Sequence, residues 1–383
     1  MITLHYCDSF SLLSETFIYD YITELERQGI NNQVVTNNWI NKEDRPFKKV
    51  IKIHPPSKWN PERLLHRAFV ALDGSNPVSA SWPQIRKEIT RIIKIIKPDI
   101  LHAHFGSMGV LLGPIASQLK IPLVVTFYGA DISTLKQDNF WREQYRKLWN
   151  QLDAVTVLSN EMKNDAIELG CPVSKIHIIH LSRKLNTLES KKISYPISKF
   201  ISVGRLTAKK GHFDTIKAFQ KLKMDGVQIS LKIIGEGELR DSIKQYIEKH
   251  QLTNEIKLLG ALSNEKTIQK IKEADAFILA SKTAENGDRE GTPTVFVEAQ
   301  AIGLPCISTK HSGIPEMFPT KNQWMLAEEG NIKEIIKKII ELRHLSEQEI
   351  EAIIEDGKSH ILNHFELTTV VKKLIDVYLT VLE

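Results

Sequence analysis

Short β-branched runs alternate with helical patterns along this 383-residue chain, and the alternation happens twice. The first series runs I-T-L-H-Y, S-E-T-F-I-Y-D-Y-I-T-E-L-E-R-Q-G and N-Q-V-V-T. It continues through I-L-H-A-H-F, a helical stretch from Leu111 to Lys120, P-L-V-V-T-F, a helix around Trp141 to Leu152, A-V-T-V-L-S and K-I-H-I-I-H. Strands that are separated by helices return in the same direction, so each series specifies a parallel sheet with crossover helices. Polar, irregular sequence from Arg183 to Lys199 interrupts the pattern, and F-I-S-V-G, I-S-L-K-I-I-G, I-K-L-L-G and A-F-I-L-A-S then restart it. The chain is also too long for one core. The expectation is α/β: two Rossmann-like domains, 1–183 and 200–363, joined by a linker at 184–199. Each presents the carboxyl ends of its strands, where such sheets bind ligands, to a shared central cleft.

Composition narrows the partners. A 42% hydrophobic fraction with 25% charged residues is that of a globular protein, and a net charge of +5 without aromatic-interleaved Lys/Arg blocks argues against nucleic-acid binding. Cys7, Cys171 and Cys306 are far apart and odd in number, which suits a reducing cytoplasm better than a disulfide framework. The start, M-I-T-L-H-Y-C, reads as a strand and not as a signal peptide, and no apolar run is long enough to span a membrane. Ile85, Ile89, Ile92, Ile93 and Ile96 recur at helical spacing among Arg86, Lys87, Arg91, Lys94 and Lys97. That stripe reads as a helix covering a sheet, with contact to anionic lipid as the alternative.

The stretch D-R-E-G-T-P-T-V-F-V-E-A-Q-A-I-G-L-P, residues 288–305, carries the most chemistry. It reads as an apolar helix with Thr292 at the N-cap, Pro293 at the first helical position and Gly303 just past the end. Glu290 stands directly before it and Glu298 lies in its middle, where an ionised carboxylate needs a partner. The turn Gly291 to Thr294 offers free N–H groups and a dipole to an anion, although Pro293 donates nothing. In V-G-R-L-T-A-K-K-G-H, Arg205 and Lys210 sit in a strand-to-helix loop, with Lys209 chemically indistinguishable from Lys210. Together these suggest a ligand with a diphosphate between two hydroxylated ends, a sugar nucleotide, with Glu290 accepting from the transferred sugar and Glu298 from the ribose. The plain alternatives are a solvated basic turn, a Glu290 that only complements the helix dipole and a Glu298 in a buried ion pair.

The spacing E-G-T-P-T-V-F-V-E resembles the E-x₇-E motif of retaining glycosyltransferases of the GT-B fold, family 4. S-E-T-F-I, H-A-H-F-G, T-F-Y-G-A-D-I-S, G-R-L-T-A-K-K-G, I-I-G-E-G-E-L, L-L-G-A-L, A-I-G-L-P-C-I-S-T and H-S-G-I-P-E match in order. The resemblance is greatest to bacterial enzymes of exopolysaccharide, capsule or lipopolysaccharide synthesis. It implies that Arg205 and Lys210 hold the diphosphate, that Glu290 contacts the donor sugar, and that Glu298 binds the ribose. It places Gly260, Ala261 and Leu262 near the base with Gly235 close by, and Gly291, Thr292 and Thr294 at the phosphates. Ser14, Glu15 and Thr16 open a helix facing the donor, and Asp131 matches the family in T-F-Y-G-A-D. The final segment, 364–383, is implied to pack back on the first domain.

The reaction implied is metal-independent transfer of a hexose-type sugar, with retention, from a UDP- or GDP-linked donor to a glycan or lipid-linked acceptor. It needs no cofactor beyond the donor, and the setting implied is the cytoplasm or the inner face of the membrane. Two departures stand out: Tyr128 occupies a position where many relatives carry a histidine that touches the donor sugar, and H-L-S-R at 180–183 replaces a glycine-containing turn. His102 and His104 share one strand face, but no third ligand accompanies them at a telling spacing, so no metal site is assigned. A sugar-nucleotide epimerase or phosphorylase of the same fold and a non-catalytic sugar-nucleotide-binding subunit are the rival readings.

Overall fold

The computed structural model describes residues 1–383 except 13–14, 55–56, 58, 73–76 and 186–187, with backbone alone at 62, 68–72 and 77–78. Two compact units result: Met1–Ile179 with Val370–Glu383, and His180–Thr369.

The first unit is built on seven strands: β1 (Ile2–Phe10), β2 (Asn31–Trp39), β3 (Val50–Lys52), β4 (Ile100–His104), β5 (Leu123–Thr126), β6 (Ala154–Val157) and β7 (Ile176–Ile178). They pair in the order β3-β2-β1-β4-β5-β6-β7, all parallel. Every residue of β4, β5 and β6 is buried, as a sheet covered by helices on both faces requires. The helix Trp82–Ile96 supplies part of that cover by burying Trp82, Ile85, Ile89 and Ile93 at three- and four-residue intervals. The helix Leu367–Leu382 returns to this unit from Val370 onward and buries Tyr378 completely. β3 is absent from the sequence reading because V-I-K is too short to show a period.

The second unit has six strands: β8 (Lys199–Val203), β9 (Ser230–Ile234), β10 (Ile256–Leu258), β11 (Ala276–Ile278), β12 (Cys306–Thr309) and β13 (Leu326–Ala327). Their order is β10-β9-β8-β11-β12-β13, again parallel. Chain direction across the sheet reverses between β8 and β11, so the loops leaving those two strands flank the crevice where open α/β sheets bind ligands. The segment expected to be a linker is anchored in this unit. Leu185 and Ile197 join its core, and Lys191 N–H donates to Ile302 O at 2.9 Å.

The motif helix spans Thr294–Ile302, starting one residue later than expected. Pro293, at φ −69° and ψ 104°, is the N-cap, and its carbonyl accepts from Phe296 N–H; Thr292 lies outside. Gly303 ends the helix at φ 96°, as its position promised.

Gly211 turns the chain from the β8 loop into the helix His212–Met224 at φ +61°, and a Cβ there would lie 1.6 Å from the Ala280 carbonyl oxygen. Both the backbone conformation and the space exclude a side chain. Gly211→Ala is therefore expected to cost about 3 kcal/mol of stability, combining overpacking with an unfavourable φ. Urea unfolding of the variant against the parent chain checks this.

Candidate functional site

In the second unit the loops after β8 and β11 meet. Lys210 Nζ donates to Glu290 Oε2 at 2.8 Å, and Lys209 Nζ lies 3.8 Å from Glu290 Oε1. The two lysines thus separate. Lys210 grips the carboxylate, while Lys209 also binds Asp288 Oδ1 at 3.0 Å and the Arg289 carbonyl at 3.3 Å, clamping the loop. Glu290 is only 8% exposed. Burial pushes its carboxyl pKa up, but the Lys210 and Lys209 charges outweigh burial and hold it below the ordinary glutamate value. Its Oε1 is buried with no hydrogen-bond partner among the described residues. Arg205, from the same β8 loop, is exposed and makes no ion pair among the described residues.

Glu298 is as buried as Glu290, and its Oε1 lies 3.5 Å from Arg183 Nε. The partner that its burial demanded comes from H-L-S-R, the stretch that departs from the family pattern. Thr292 is buried, Gly291 and Thr294 are half-buried, and Thr294 opens the helix. With the helix starting there, Thr294 to Glu298 rises about 6 Å.

Gly235 and Gly260 lace the neighbouring loops together. Gly204 N–H donates to Ile234 O at 3.0 Å, Leu206 N–H to Glu236 O at 2.9 Å and Gly235 N–H to Gly260 O at 2.9 Å. Gly235 has φ +145°, and a Cβ on it would lie 2.0 Å from the Gly204 carbonyl oxygen. The G-x-G is thus required by close backbone approach. Ala261 is exposed and Leu262 half-buried beyond Gly260, at the same edge.

In the first unit, Tyr128 and Asp131 follow β5. Asp131 is buried with both oxygens occupied: Oδ2 accepts from Gly106 N–H at 3.0 Å, and Oδ1 from the N–H groups of Tyr128 and Gly129 at 3.0 and 2.9 Å. Burial raises its pKa and these donors oppose that shift. A carboxylate so engaged holds the 128–131 turn and the start of the helix Gly106–Leu119. The helix Thr16–Arg27 begins at Thr16, with Glu15 as N-cap. Burial and the nearby Asp8 and Asp131 charges raise the Glu15 pKa, so the side chains around this helix start are acidic. Ser14 lies outside the described residues.

Behind Tyr128 is a buried chain absent from the sequence reading, because His5 is far from His102 and His104 in sequence and meets them only through strand pairing. The register sets His5 opposite His102. Asn32 fixes the polarity of the chain: its Nδ2 donates to the carbonyls of Ile22 and Ile30 and to Glu26 Oε2, so Oδ1 faces His5 Nε2 at 3.0 Å and must accept. A neutral His5 then accepts at Nδ1 from His104 Nε2, 3.1 Å away, and His104 accepts at Nδ1 from the Tyr128 hydroxyl at 2.7 Å. Burial lowers the His5 pKa to about 4, and lowers His102 and His104 well below the ordinary value, which keeps all three rings neutral near pH 7.

The ligand atoms of His5, His102 and His104 lie within 4.8 Å of one another. As metal ligands they fit poorly. The lone pairs of His5 and His104 are taken up by this chain, and both nitrogens of His102 are engaged by Tyr378 and Thr126. Tyr128 packs its ring against Phe17 and Phe105, with centroids 4.6 and 4.8 Å apart.

Two family models divide the chain: Glycosyltransferase Family 4 matches residues 14–182, and Glycosyl transferases group 1 matches residues 189–360. The amylovoran biosynthesis glycosyltransferase AmsK of Erwinia amylovora is 31% identical, over 73% of this chain and 69% of its own length. The chain belongs to glycosyltransferase family 4. The putative colanic acid biosynthesis glycosyltransferase WcaL of Escherichia coli matches it at 26% identity over 95% of this chain and 96% of its own length. Among solved structures, a glycosyltransferase from Rickettsia africae superposes with a TM-score of 0.76 at 19% identity, covering 100% of this chain and 98% of that one. HepE from Anabaena, solved with UDP and glucose, superposes at 0.73 and 17% identity over 99% and 100%. These neighbours share the GT-B fold with this glycosyltransferase.

Two outcomes follow from the site. Lys210→Met leaves a buried carboxylate with only the more distant Lys209 and is expected to destabilise by about 3 kcal/mol. Adding Glu290→Gln to it is expected to recover at least about 1 kcal/mol in a double-mutant cycle read by urea unfolding. Nitrogen-15 spectra of the imidazoles are expected to show His5 and His104 as neutral rings protonated on Nε2 and not titrating between pH 5 and 8. A Nδ1-protonated His104 refutes the polarity given to the chain.

Proposed function

We propose that this glycosyltransferase moves a hexose-type sugar, with retention, from a UDP- or GDP-linked donor to a glycan or lipid-linked acceptor in cell-surface polysaccharide synthesis. The observation that carries the reading is the Lys210–Glu290 pair at the switch point of the second sheet, with Arg205 uncovered beside it. A structural ion pair alone leaves no use for an exposed guanidinium at the carboxyl edge or for an unbonded Glu290 Oε1. A diphosphate with a sugar attached uses both. The exopolysaccharide setting is supported by the names of the relatives AmsK and WcaL, and the nucleotide-sugar donor by HepE with UDP and glucose.

In this reading Arg205 and Lys210 face the diphosphate, and the turn Gly291 to Thr294 brings the positive end of the helix to it. Glu290 Oε1 accepts from a hydroxyl of the sugar. Glu298, paired with Arg183, accepts from the ribose, and Gly260 to Leu262 form the edge for the base. As the bond from the anomeric carbon to the phosphate oxygen breaks, negative charge grows where the cations already stand, and that fixed field lowers the barrier. The acceptor hydroxyl forms the new bond on the face the phosphate leaves and passes its proton to a phosphate oxygen. The side chains supply the charge that a metal would otherwise supply, and no step is assigned to a cofactor.

Asp131 serves by holding the Tyr128 turn. Among the described residues no helix is long and apolar enough to cross a membrane. Ile95, 73% exposed next to the exposed Lys94 and one turn after the exposed Arg91, is the surface we assign to peripheral contact with an anionic lipid face.

Glu290→Gln and Arg205→Ala are each expected to lower turnover by about 100-fold or more; the exposed Arg205 is expected to leave the unfolding midpoint nearly unchanged, whereas Glu290→Gln lowers it by stranding two largely buried lysines without unfolding the chain. The assay incubates the protein with UDP- and GDP-hexoses, with and without lipid-linked acceptors, and follows nucleotide release. Acceptor-dependent release supports transfer. Isomerised donor points instead to an epimerase, and tight binding without turnover to a binding subunit.

A further inference from the structure

The motif H-S-G-I-P-E, residues 311–316, has no task in the donor site as described so far. Its His311 is fully buried just beyond β12, at the carboxyl edge of the second sheet. The backbone N–H of Glu290 donates to His311 Nε2 at 3.0 Å. A backbone N–H can only donate, so Nε2 accepts and a neutral ring carries its proton on Nδ1. Nδ1 in turn donates to Glu329 Oε1 at 2.5 Å, and the second oxygen of Glu329 accepts from Thr283 N–H at 2.8 Å. Burial raises the Glu329 carboxyl, but the Thr283 and His311 donors outweigh it and hold the group below the ordinary glutamate value.

Residues 288–293 form neither helix nor strand, and the side chains that reach them include Lys209 at Asp288 and Arg289, Lys210 at the Glu290 carboxylate, and His311 at the Glu290 amide. The Arg289 carbonyl and the Glu290 N–H belong to one peptide group, so Lys209 and His311 hold that group from its two sides while Lys210 holds the side chain. Fixing the amide as well sets the direction of Oε1, the oxygen with no hydrogen-bond partner among the described residues. The geometry points to His311, oriented by Glu329, as a positioning residue that fixes the Glu290 carboxylate, with its unbonded Oε1, in the orientation that receives the transferred sugar. The inference rests on the donor-site reading above, because it takes Glu290 to accept from a sugar hydroxyl.

The test compares His311→Ala and His311→Gln with the parent protein. Glutamine can accept from the Glu290 amide and donate to Glu329. Three quantities are measured: amide hydrogen exchange at Glu290, kcat with whichever of UDP-glucose, UDP-galactose, UDP-N-acetylglucosamine, GDP-mannose and GDP-fucose the parent turns over, and the Kd of the matching nucleoside diphosphate. In His311→Ala the Glu290 amide is expected to exchange about tenfold faster, the ratio for one hydrogen bond of ordinary net strength. There kcat is expected to fall by about 10- to 100-fold, as loss of alignment does, while Kd stays within about twofold. His311→Gln is expected to recover most of both losses.

Unchanged exchange or unchanged kcat in His311→Ala overturns the proposal. So does a Kd that worsens in step with kcat, or a glutamine variant as impaired as alanine, since each marks a merely structural histidine. If the parent turns over none of the donors, the transferase reading fails. The exchange measurement, which needs no substrate, still decides whether His311 holds Glu290.

Discussion

A carboxylate withdrawn from water stays ionised only when positive charge is brought to it, and at Glu290 that charge is two ammonium groups from the loop after β8. Much of the second unit serves this arrangement. The reversal of strand order between β8 and β11 makes their loops neighbours, Gly211 lets the first loop turn against Ala280, and the Lys209 clamp on Asp288 and Arg289 holds the second. Glu298 repeats the theme four residues into the motif helix, with Arg183 as its cation. Paired carboxylates of this kind remain hydrogen-bond acceptors near pH 7, the property that recognition of hydroxylated ligands requires.

Most of the architecture was legible in the sequence, because parallel strands buried on both faces are written as near-continuous apolar runs that helical periods separate. β3 and β13, three and two residues long, carry too little sequence for a pattern. The 184–199 segment misled by composition: its polar residues hide Leu185 and Ile197, which reach a core that only tertiary structure assembles. Thr292 was a reasonable N-cap by residue type, yet Pro293, extended in ψ, moved the helix start beyond it.

The site divided along similar lines. Glu290, Glu298 and Lys210 could be singled out because a charge beside or within an apolar helix, or in a glycine-bounded loop, conflicts with its surroundings unless it is paired. Arg183 and His311 could not, since they come from stretches distant in sequence whose own composition shows no conflict. His5 is the clearest instance. Nothing in I-T-L-H-Y distinguishes its histidine until strand register brings it against His104 and hydrogen-bond polarity turns the Tyr128 hydroxyl proton inward. Tyrosine in place of the family's histidine is thereby not a simple exchange of one proton donor for another, because the tyrosine's proton is already committed.

The backbone lacing of the loops after β8, β9 and β10 bears on how such a chain can diversify. Because Gly204, Leu206 and Gly235 bond directly to main-chain atoms of the next loop, none of the three can be lengthened or swapped without displacing the others. New preferences for base or sugar are then reached by exchanging side chains on a fixed backbone frame, at positions such as Ala261 and Leu262, and not by transplanting whole loops.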